Sequence, residues 1–266
     1  MKLRNEDYFF TPQQTIAVEP RNPQIAYPEH THDFNEIFIV TKGNGLHIIN
    51  DHPFFLCPGT ICYVHSEDLH LFKKVNNLNL VNILYREASC FDYLKNVNQF
   101  FPNRQKNVPF HWLLNQAAFS KITCILNEFV QIKNDLFPYG EGLFLQLLIN
   151  LQNGIYSTVG QNNNEQHIIQ ILRWLHFNYL QEIDWNQITQ QFDVPQRTFY
   201  RYVKNKLGLS PHTYLRKLRL FHAYFFLRKT NKSITDIAMD CHFNDSAYFS
   251  TCFKNEFGFS PIKLRQ

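Results

Sequence analysis

The sequence predicts a mixed fold, in which an antiparallel β-barrel with two following helices precedes a C-terminal all-α domain. Two observations carry this prediction. Residues 15–87 contain short β-rich runs that turn residues separate, without helical periodicity between them. Near the C-terminus, Lys254–Pro261 (KNEFGFSP) echoes Lys204–Pro211 (KNKLGLSP) fifty residues earlier, and each copy closes a pair of short helical patterns.

The first domain, which we place at residues 1–110, is predicted from its strands and turns. We expect strands at Glu36–Val40, Gly45–Ile49, Thr60–Val64 and Leu80–Tyr85, and turns at Lys42–Gly45, Asn50–Asp51 and Pro58–Gly59. Several strands in succession without intervening helices favour an antiparallel barrel or sandwich.

One group of ionisable residues in this domain has a specific spacing. His30, His32 and Glu36 resemble the first motif of the cupin barrels, and Pro58–Gly59 followed by His70 resembles the second. In cupin enzymes such residues converge inside the barrel and bind a divalent metal. Three interpretations stay open: a cupin-like pocket whose polar groups hydrogen-bond a sugar, a bound metal that helps to hold a ligand, and histidines with a structural role only.

Residues 111–153 switch to helical periodicity. One apolar stripe comprises Trp112, Phe119, Ile122, Leu126, Phe129 and Ile132, and a second, after a break at Pro138–Gly140, comprises Leu143, Phe144, Leu147, Leu148 and Leu151. Both helices can simply cover the barrel, or at least one can form a dimer seam. The width of the stripes favours a homodimer. Residues 154–166 are polar and lack periodicity, which predicts a linker.

Composition limits the classes of function. No run of eighteen apolar residues predicts a membrane span, and MKLRNEDYFFTPQQ lacks the apolar core of a signal peptide, so we expect a cytoplasmic protein. The six cysteines show no CxxC spacing, which favours buried thiols over zinc or disulfides. Residues 166–266 hold fourteen Lys and Arg against seven Asp and Glu, a net charge of +7, and the rest of the chain carries −3. A basic C-terminal third indicates a nucleic-acid-binding module.

The second helix pair is the more complete of the two. Ser233 can cap its first helix, whose apolar face comprises Ile234, Ile237, Ala238 and Cys241. Asn244 or Asp245 can cap its second helix, in which Tyr248, Phe249, Cys252, Phe253 and Phe257 continue the apolar pattern up to Gly258. This arrangement is typical of a helix-turn-helix, whose second helix enters a DNA major groove.

The run SITDIAMDCHFNDSAYFSTCFKNEFGFSP (Ser233–Pro261), its tandem arrangement and its C-terminal position resemble the AraC/XylS family of bacterial transcription regulators. The resemblance covers about Ile168 to the end. It implies a DNA-binding domain at 167–266, with helix-turn-helix units at about 184–207 and 233–257 joined by a long helix at about Pro211–Lys229. Such units bind two successive major-groove faces of promoter DNA.

Within this family, the run Pro20–Asn50 most closely resembles L-rhamnose-responsive activators, and that likeness extends over nearly the whole chain. The resemblance implies an effector-binding barrel for L-rhamnose, contact with the σ subunit of RNA polymerase, and control of rhamnose catabolism and transport genes. The candidate effector-binding residues are His30, His32, Glu36, His47, Tyr63 and His70. His47 and Tyr63 lie outside the two cupin-like motifs, and whether they face the pocket depends on strand register.

The first helix-turn-helix unit offers one polar face for DNA. This face comprises Gln196, Arg197, Tyr200, Arg201 and Lys204, whereas Phe199, Val203 and Leu207 should be buried. Arg197 and Arg201 are the candidate base readers, because a guanidinium can pair with guanine O6 and N7, and Lys204 is the candidate phosphate contact. The alternative is that the arginines are only solvated charge.

The second unit is less basic, and its candidate DNA-facing residues are Asn244, Asp245, Ser246 and Ser250. Asp236 and Asp245 are candidates for the σ contact, and the alternative is that both only cap their helices. Two residues depart from the family pattern. His242 stands where the family usually has Gly, and Ala247 stands where the L-rhamnose-responsive activators usually have Asn.

Together these observations predict a homodimeric, cytoplasmic transcription activator that is not an enzyme and needs no cofactor beyond its effector. Two rival functions stay open. One is an AraC-type regulator of another sugar, and the other is a metal-dependent cupin enzyme fused to a DNA-binding domain, with His30, His32, Glu36 and His70 as its metal ligands.

Overall fold

The computed structural model describes residues 1–101, 110–131, 137–156 and 163–265. The chain forms two compact units, one of Met1–Asn50 with Phe55–Gln161 and the other of Asp51–Phe54 with Asn162–Gln266. None of the described helices combines the length and hydrophobicity needed to cross a membrane.

The first unit is built on a strongly curled sheet of eight strands. They are β1 (Lys2–Leu3), β2 (Ile16–Arg21), β3 (Tyr27–His32), β4 (Asn35–Ile49), β5 (His52–Leu56), β6 (Thr60–Val64), β7 (His70–Tyr85) and β8 (Phe110–Leu113). The order is β1-β3-β7-β4-β6-β8, with β2 also on β7 and β5 on β4. All pairs with a described register are antiparallel except β1 with β3. The predicted antiparallel β domain is therefore confirmed.

The turn predicted at Lys42–Gly45 is wrong. The strand β4 continues through this segment, and its pairing with β7 shifts register between Val40 and Leu46. The two strands bend together, so the ladder is disrupted locally without ending. Gly43 has a φ of +75°, and a Cβ on it would collide with the carbonyl group of Asn77 on the opposite strand. The glycine serves a close approach of two backbones inside a bent strand.

The two faces of the sheet have different partners. Ile37, Ile39, Ile61 and Ile83 point to one side, where they pack against the helices α1 (Gln116–Gln131) and α2 (Phe137–Tyr156). Alternate residues such as Glu36 and Phe38 point to the other side, the concave interior of the curled sheet. Most of the apolar side chains that the structure describes on the two helices belong to this one core cluster.

This burial corrects the argument for a dimer seam. Ile122, Leu126 and Phe129 of α1 and all five residues of the α2 stripe pack on the sheet of their own unit. The stripes are therefore no wider than the sheet can cover. Trp112 belongs to β8 and not to a helix, Ile132 lies outside the described residues, and Pro138 lies in the first turn of α2 and does not interrupt a helix.

The second unit contains seven described helices. They are α3 (Asn163–Asn178), α4 (Trp185–Gln191), α5 (Gln196–Leu207), α6 (Pro211–Lys229), α7 (Ile234–Asp240), α8 (Ser246–Phe257) and α9 (Pro261–Arg265). The two helix-turn-helix units and the long α6 between them have the expected places. The predicted linker ends too late, because residues 163–166 already belong to α3, and residues 157–162 lie outside the described part of the chain.

Local hydrogen bonds explain where these helices begin and end. Asp184 accepts from two backbone amides at the start of α4, and Ser210, Ser233 and Asp245 likewise cap α6, α7 and α8. Gly208 and Gly258 terminate α5 and α8 in the left-handed conformation that costs glycine least. These signals are local in sequence, so they could be recognised before any tertiary contact was known.

The helix-turn-helix turns both contain a left-handed residue, Asp193 in the first unit and His242 in the second. His242 has a φ of +55°, so it adopts a conformation that is uncommon for a residue other than glycine. The second turn holds one residue more than the first, because α5 begins three residues after Asp193 and α8 begins four after His242. The extra residue places Asp245 at the N-cap of α8, where the first unit has Pro195.

Candidate functional site

The concave side of the sheet encloses a cavity of about 250 Å³. Its wall combines polar side chains with apolar ones. The polar residues are Tyr8, Arg21, Gln24, Tyr27, His30, Glu36, His70 and Asn82, and the apolar residues are Leu3, Pro23, Ile25, Phe34, Phe72 and Leu84. This composition is that of a small-molecule site, since a few placed polar groups among apolar walls fix the orientation of a ligand.

Four buried polar atoms at or beside this cavity lack a hydrogen-bond partner within the described residues. They are Glu36 Oε1, Asn82 Oδ1, His32 Nε2 and His70 Nε2. Burying a polar group without a partner costs about 1–3 kcal/mol, and native proteins leave few such groups. Three of them belong to residues of the cavity wall, Glu36, His70 and Asn82, where a bound ligand can supply the missing hydrogen bond.

The motif histidines are held by their other ring nitrogen. His32 Nδ1 lies 2.5 Å from the carbonyl oxygen of Phe34, and His30 Nδ1 lies 2.9 Å from that of Pro28. Because a carbonyl oxygen only accepts, Nδ1 carries the proton in both residues, which leaves a lone pair on Nε2 of His32 without a hydrogen bond. Burial lowers the pKa of His32 to about 4, so its imidazole is neutral at physiological pH.

His47 lies behind the cavity wall, not in it. Its Nε2 lies 2.9 Å from Nδ1 of His70, and its Nδ1 lies 2.8 Å from Nε2 of His111. The proposed contact between His47 and an effector is therefore corrected to an indirect one, in which His47 orients His70. His32 also lies just behind the wall, with its Nε2 3.7 Å from Oε2 of Glu36.

Tyr63 lies on the opposite face of the sheet, so its assignment to the effector pocket is wrong. It pairs with Ile37 of β4 and belongs to the core cluster beneath α1 and α2, next to Phe101. The neighbouring Cys62 points to the concave face of the sheet, where its Sγ lies 3.7 Å from Nδ1 of His111. Strand alternation thus places Cys62, and not Tyr63, on the concave face, although Cys62 does not line the cavity.

Sequence reasoning missed five polar residues of the cavity wall, Tyr8, Arg21, Gln24, Tyr27 and Asn82, and also the nearby His111. Arg21 and Asn82 line the cavity from β2 and β7, and His111 comes from β8, a strand in a segment that we interpreted as helical. None of these residues belongs to a recognisable motif. The strand alternation around Leu80–Tyr85 was the only available signal, because it places Asn82 on the face opposite to Val81 and Ile83.

The carboxyl group of Glu36 has a strongly shifted pKa. Burial raises it from the usual 4.5 to about 7, and the nearby Arg21 counteracts this only in part. In the unliganded protein the group is therefore partly protonated near neutral pH. It can both donate and accept a hydrogen bond in that range.

This shift predicts a pH dependence of stability. Between pH 4.5 and about 7 the unfolded chain has released the Glu36 proton while the folded protein retains it, so the free energy of unfolding should fall across that window. We expect a loss of about 3 kcal/mol relative to Glu36→Gln, which cannot titrate. Urea unfolding at several pH values, with a chelator present, measures it. Parallel pH profiles for the two proteins would contradict the assignment.

The same residues also fit a divalent metal, but with three ligands and not four. His32, Glu36 and His70 offer ligand atoms that all lie within 4.8 Å of one another, and two nitrogens with one carboxylate suit such an ion. His30 is outside this group, and its ring lies against that of His70, with the centroids 4.1 Å apart and the ring planes tilted by 40°. A cation held there would coordinate hydroxyl oxygens of a ligand.

In the first helix-turn-helix unit, the predicted division of α5 into two faces is confirmed. Phe199 and Val203 are fully buried, and Leu207 is half-buried. Gln196, Arg197, Arg201 and Lys204 are exposed, and Tyr200 is half-buried. The Tyr200 hydroxyl lies 2.9 Å from Nε2 of His212, whose Nδ1 accepts from the indole of Trp185. Lys204 donates to the carbonyl oxygen of Gly208.

In the second helix-turn-helix unit, Phe249 and Phe253 are buried, whereas Tyr248 is 51% exposed and does not continue the apolar face. Its hydroxyl accepts from Arg216 of α6. Of the predicted DNA-facing residues, Asn244 and Asp245 are exposed, and Ser246 and Ser250 are half-buried. Asp245 accepts from the amides of Ala247 and Tyr248, and these hydrogen bonds lower its pKa.

Asp236 resembles Asp245 in being exposed and locally bonded. Its carboxylate accepts from the hydroxyl of Ser233 at 2.6 Å, and its amide donates to the same hydroxyl. Both aspartates thus have the capping contacts that we weighed as the alternative to a partner contact. Capping does not bury them, so each carboxylate remains on the surface.

Arg219 of α6 connects the parts of the DNA-binding unit. Its guanidinium donates to the carbonyl oxygens of Tyr179 and Gln181 after α3, at 2.7 and 2.6 Å, and to that of His242 in the second turn, at 3.4 Å. Burial lowers its pKa, although a guanidinium stays charged at physiological pH. Sequence reasoning did not find this residue, because it lies in no motif.

We expect Arg219→Met to lower the free energy of unfolding of the whole helical unit, α3 to α9, by about 2–4 kcal/mol, because three carbonyl oxygens lose a charged donor. Urea unfolding measures this. Arg216→Met is the matched control, because Arg216 lies on the same helix as Arg219 and makes one long hydrogen bond, to Tyr248. An equal effect of both substitutions would show that Arg219 has no special connecting role.

Comparison with known proteins now adds the identity of the chain. Residues 13–139 match the family described as "AraC-like ligand binding domain", and residues 188–266 match "Helix-turn-helix domain". The chain is also 40% identical over 264 residues to the HTH-type transcriptional activator RhaS of Mannheimia succiniciproducens, with 99% of this chain and 98% of that protein covered. The chain belongs to the AraC family of transcription regulators.

Two further proteins show similarity to this chain. The AraC-family chain is 38% identical over 269 residues to the transcriptional activator RhaS of Klebsiella pneumoniae, covering 99% of this chain and 96% of that one. A crystal structure of an AraC-type regulator from Chromobacterium violaceum is 28% identical over 38% of this chain and 90% of its own, with a TM-score of 0.36. Family membership confirms the prediction of a regulator as opposed to an enzyme.

Proposed function

We propose that this AraC-family regulator is a transcription activator that binds L-rhamnose in the cavity of its first unit and controls rhamnose catabolism and transport genes. The effector would act by binding one of two conformational states more tightly than the other. The observation that carries the proposal is the set of three unsatisfied buried polar atoms, on Glu36, His70 and Asn82, among the residues that line a cavity of about 250 Å³. The similarity to proteins named RhaS supports the choice of sugar.

The chemistry of the cavity suits an uncharged polyol. Glu36 Oε1 and Asn82 Oδ1 can accept from sugar hydroxyl groups, and Nε2 of His70 can accept or donate one more hydrogen bond according to its tautomer. A cavity of about 250 Å³ suits a monosaccharide better than a longer sugar. L-Rhamnose is a 6-deoxy sugar, and its methyl group suits the apolar part of the wall.

Isothermal titration with three related sugars tests the effector. L-Mannose adds a hydroxyl group at C6 of L-rhamnose, and L-lyxose lacks the C6 methyl group. We expect saturable heat with L-rhamnose and weaker binding of both analogues, because one places a hydroxyl against an apolar wall and the other leaves that wall unfilled.

Two variants locate the binding site. Asn82→Ala should weaken L-rhamnose binding at least tenfold, because it removes a side-chain acceptor of the cavity wall. Tyr63→Phe, which changes a residue on the opposite sheet face, should bind as the wild type does. No heat with any of the sugars, from folded protein that still binds DNA, would reject L-rhamnose as effector and retain the family. Tight binding of a different sugar would mean that the regulated genes serve that sugar and not L-rhamnose.

The σ contact is part of the same proposal. The support is the exposure of Asp236 and Asp245 on neighbouring helices α7 and α8, where a basic partner can reach both carboxylates. Asn caps a helix about as well as Asp does, so Asp236→Asn and Asp245→Asn should leave folding nearly unchanged, and Asp236→Asn should leave DNA affinity nearly unchanged too. We expect both to reduce transcription activation in a reconstituted assay. Full activation by both variants would restrict these residues to capping.

We also propose a homodimer, on the strength of the family resemblance. Among the side chains that the structure describes on the two cover helices, the exposed large apolar residues are Val130, Tyr139 and Ile149. Sedimentation of the purified chain, with and without L-rhamnose, tests this. A monomer at all concentrations that still activates transcription would exclude the dimer.

A further inference from the structure

The two recognition helices, α5 and α8, can be aligned residue by residue. Phe199 and Phe249 are both fully buried, as are Val203 and Phe253, and Gly208 and Gly258 end the two helices in the same left-handed conformation. Each pair is separated by fifty positions. The outward positions of the two helices therefore correspond with the same offset.

The alignment places different chemistry at equivalent outward positions. Ala247 occupies the position of Arg197, Thr251 that of Arg201, and Lys254 that of Lys204, and all six side chains are exposed. The cation next to the C-terminal end is thus kept, and the two guanidinium groups are replaced by short side chains. Thr251 and Lys254 were not among the DNA-facing residues predicted from sequence.

The hydroxyl group of Thr251 is already occupied. Its Oγ1 donates to the carbonyl oxygen of Ala247, one turn earlier, at 3.0 Å. Such back-bonding turns the hydroxyl group toward the helix axis and leaves the Cγ2 methyl as the group that Thr251 offers to a partner. Ala247 offers only its Cβ methyl. Residues four apart lie on the same helix face, so the two methyl groups form one small apolar surface.

We infer that Ala247 and Thr251 recognise thymine, by packing their methyl groups against the C5-methyl group that thymine alone presents in the major groove. This inference rests on the proposed function as a DNA-binding activator and adds a base preference to its second unit. Apolar contact of Ala or Thr with the thymine methyl is an established form of base readout. The first helix-turn-helix unit would then select guanine through Arg197 and Arg201, and the second helix-turn-helix unit would select thymine.

The test replaces thymine by deoxyuridine, which removes only the methyl group. The full-length protein first selects a bound duplex from a randomised library, in the presence and absence of L-rhamnose. Each thymine of that duplex is then replaced singly, and affinity is measured by fluorescence anisotropy. We expect one or two positions at which the wild type loses about fourfold in affinity, which corresponds to about 0.8 kcal/mol for one buried methyl group.

Three variants distinguish a methyl contact from a hydroxyl contact. Thr251→Ser keeps the hydroxyl group and removes the methyl, so it should lose discrimination between thymine and uracil at one of these positions. Thr251→Val keeps a methyl group and removes the hydroxyl, so it should retain discrimination there. Thr235→Ser makes the same chemical change at an exposed threonine of α7, outside the recognition helix, and should behave as the wild type does.

The outcomes separate this inference from the function on which it rests. Equal affinity for thymine and uracil at every position, with tight binding to the selected duplex, would overturn thymine recognition and leave the DNA-binding function intact. Loss of discrimination in Thr251→Val together with retention in Thr251→Ser would overturn it as well, in favour of the hydroxyl group. Failure to select any sequence, with or without L-rhamnose, would overturn the proposed function itself.

Discussion

Glu141→Gln is expected to destabilise the first unit by about 3–5 kcal/mol, the largest stability effect of a single isosteric change that we anticipate in this chain. The Glu141 carboxylate is 1% exposed and accepts from the backbone amides of Asp92, Tyr93 and Leu94 and from the hydroxyl group of Thr15. In glutamine an NH2 group replaces one of the two accepting oxygens. Its two N–H groups would face other N–H and O–H donors, so buried N–H groups would remain unpaired.

Urea unfolding followed by tryptophan fluorescence measures the effect of this substitution. Glu128→Gln is the matched control, because Glu128 is an exposed carboxylate of the neighbouring helix that accepts one hydrogen bond, from Tyr139. We expect less than about 0.5 kcal/mol for the control. If Glu141→Gln were equally mild, the segment 92–94 would be held to α2 by apolar packing alone.

Arg197→Ala and Arg201→Ala are each expected to weaken binding to the cognate site by roughly 1–3 kcal/mol, or about 5- to 150-fold, and to relax preference at one guanine. Both side chains are exposed on the outer face of α5, whose inner face is anchored by the buried Phe199 and Val203. Anisotropy titrations against the site and single-base variants of it provide the measurement. Lysine should not restore either position, because it lacks the planar fork of arginine.

Two further variants separate base readout from general charge. Arg228→Ala removes an exposed positive charge of α6 that lies over the Tyr224 ring, and should change affinity little at any base. Lys204→Ala should weaken all sequences similarly and reduce the salt dependence by about one phosphate contact. If Arg197→Ala weakened all base variants equally, Arg197 would contact phosphate and not a base.

The DNA-binding domain was largely predictable from sequence. Caps such as Asp184 and Ser233, terminators such as Gly208 and Gly258, and helical periodicity act over a few residues, so their meaning does not depend on distant contacts. The exposed face of α5 followed from its buried face. The role of Arg219 did not follow, because its three acceptors lie 23 to 40 residues away along the chain.

The effector site was only partly predictable. The motif spacing identified His30, Glu36 and His70, which line the cavity, and the family resemblance identified the class of regulator. Spacing could not assign His47 and Tyr63, because an exchange of strand faces moves a side chain from the cavity to the core. It also missed Arg21, Asn82 and His111, which the curvature of the sheet brings to the same region.

The sequence by itself thus determined the family, the order of the domains, the helix-turn-helix units and the motif that marks the pocket, because these depend on local signals. Only the tertiary structure decided which residues line the cavity, which polar atoms remain unpaired in it, and that the apolar stripes of α1 and α2 are used within one chain. The physical reason is that a curled antiparallel sheet juxtaposes strands far apart in sequence. The side of the sheet on which each residue then lies depends on strand pairing and bulges.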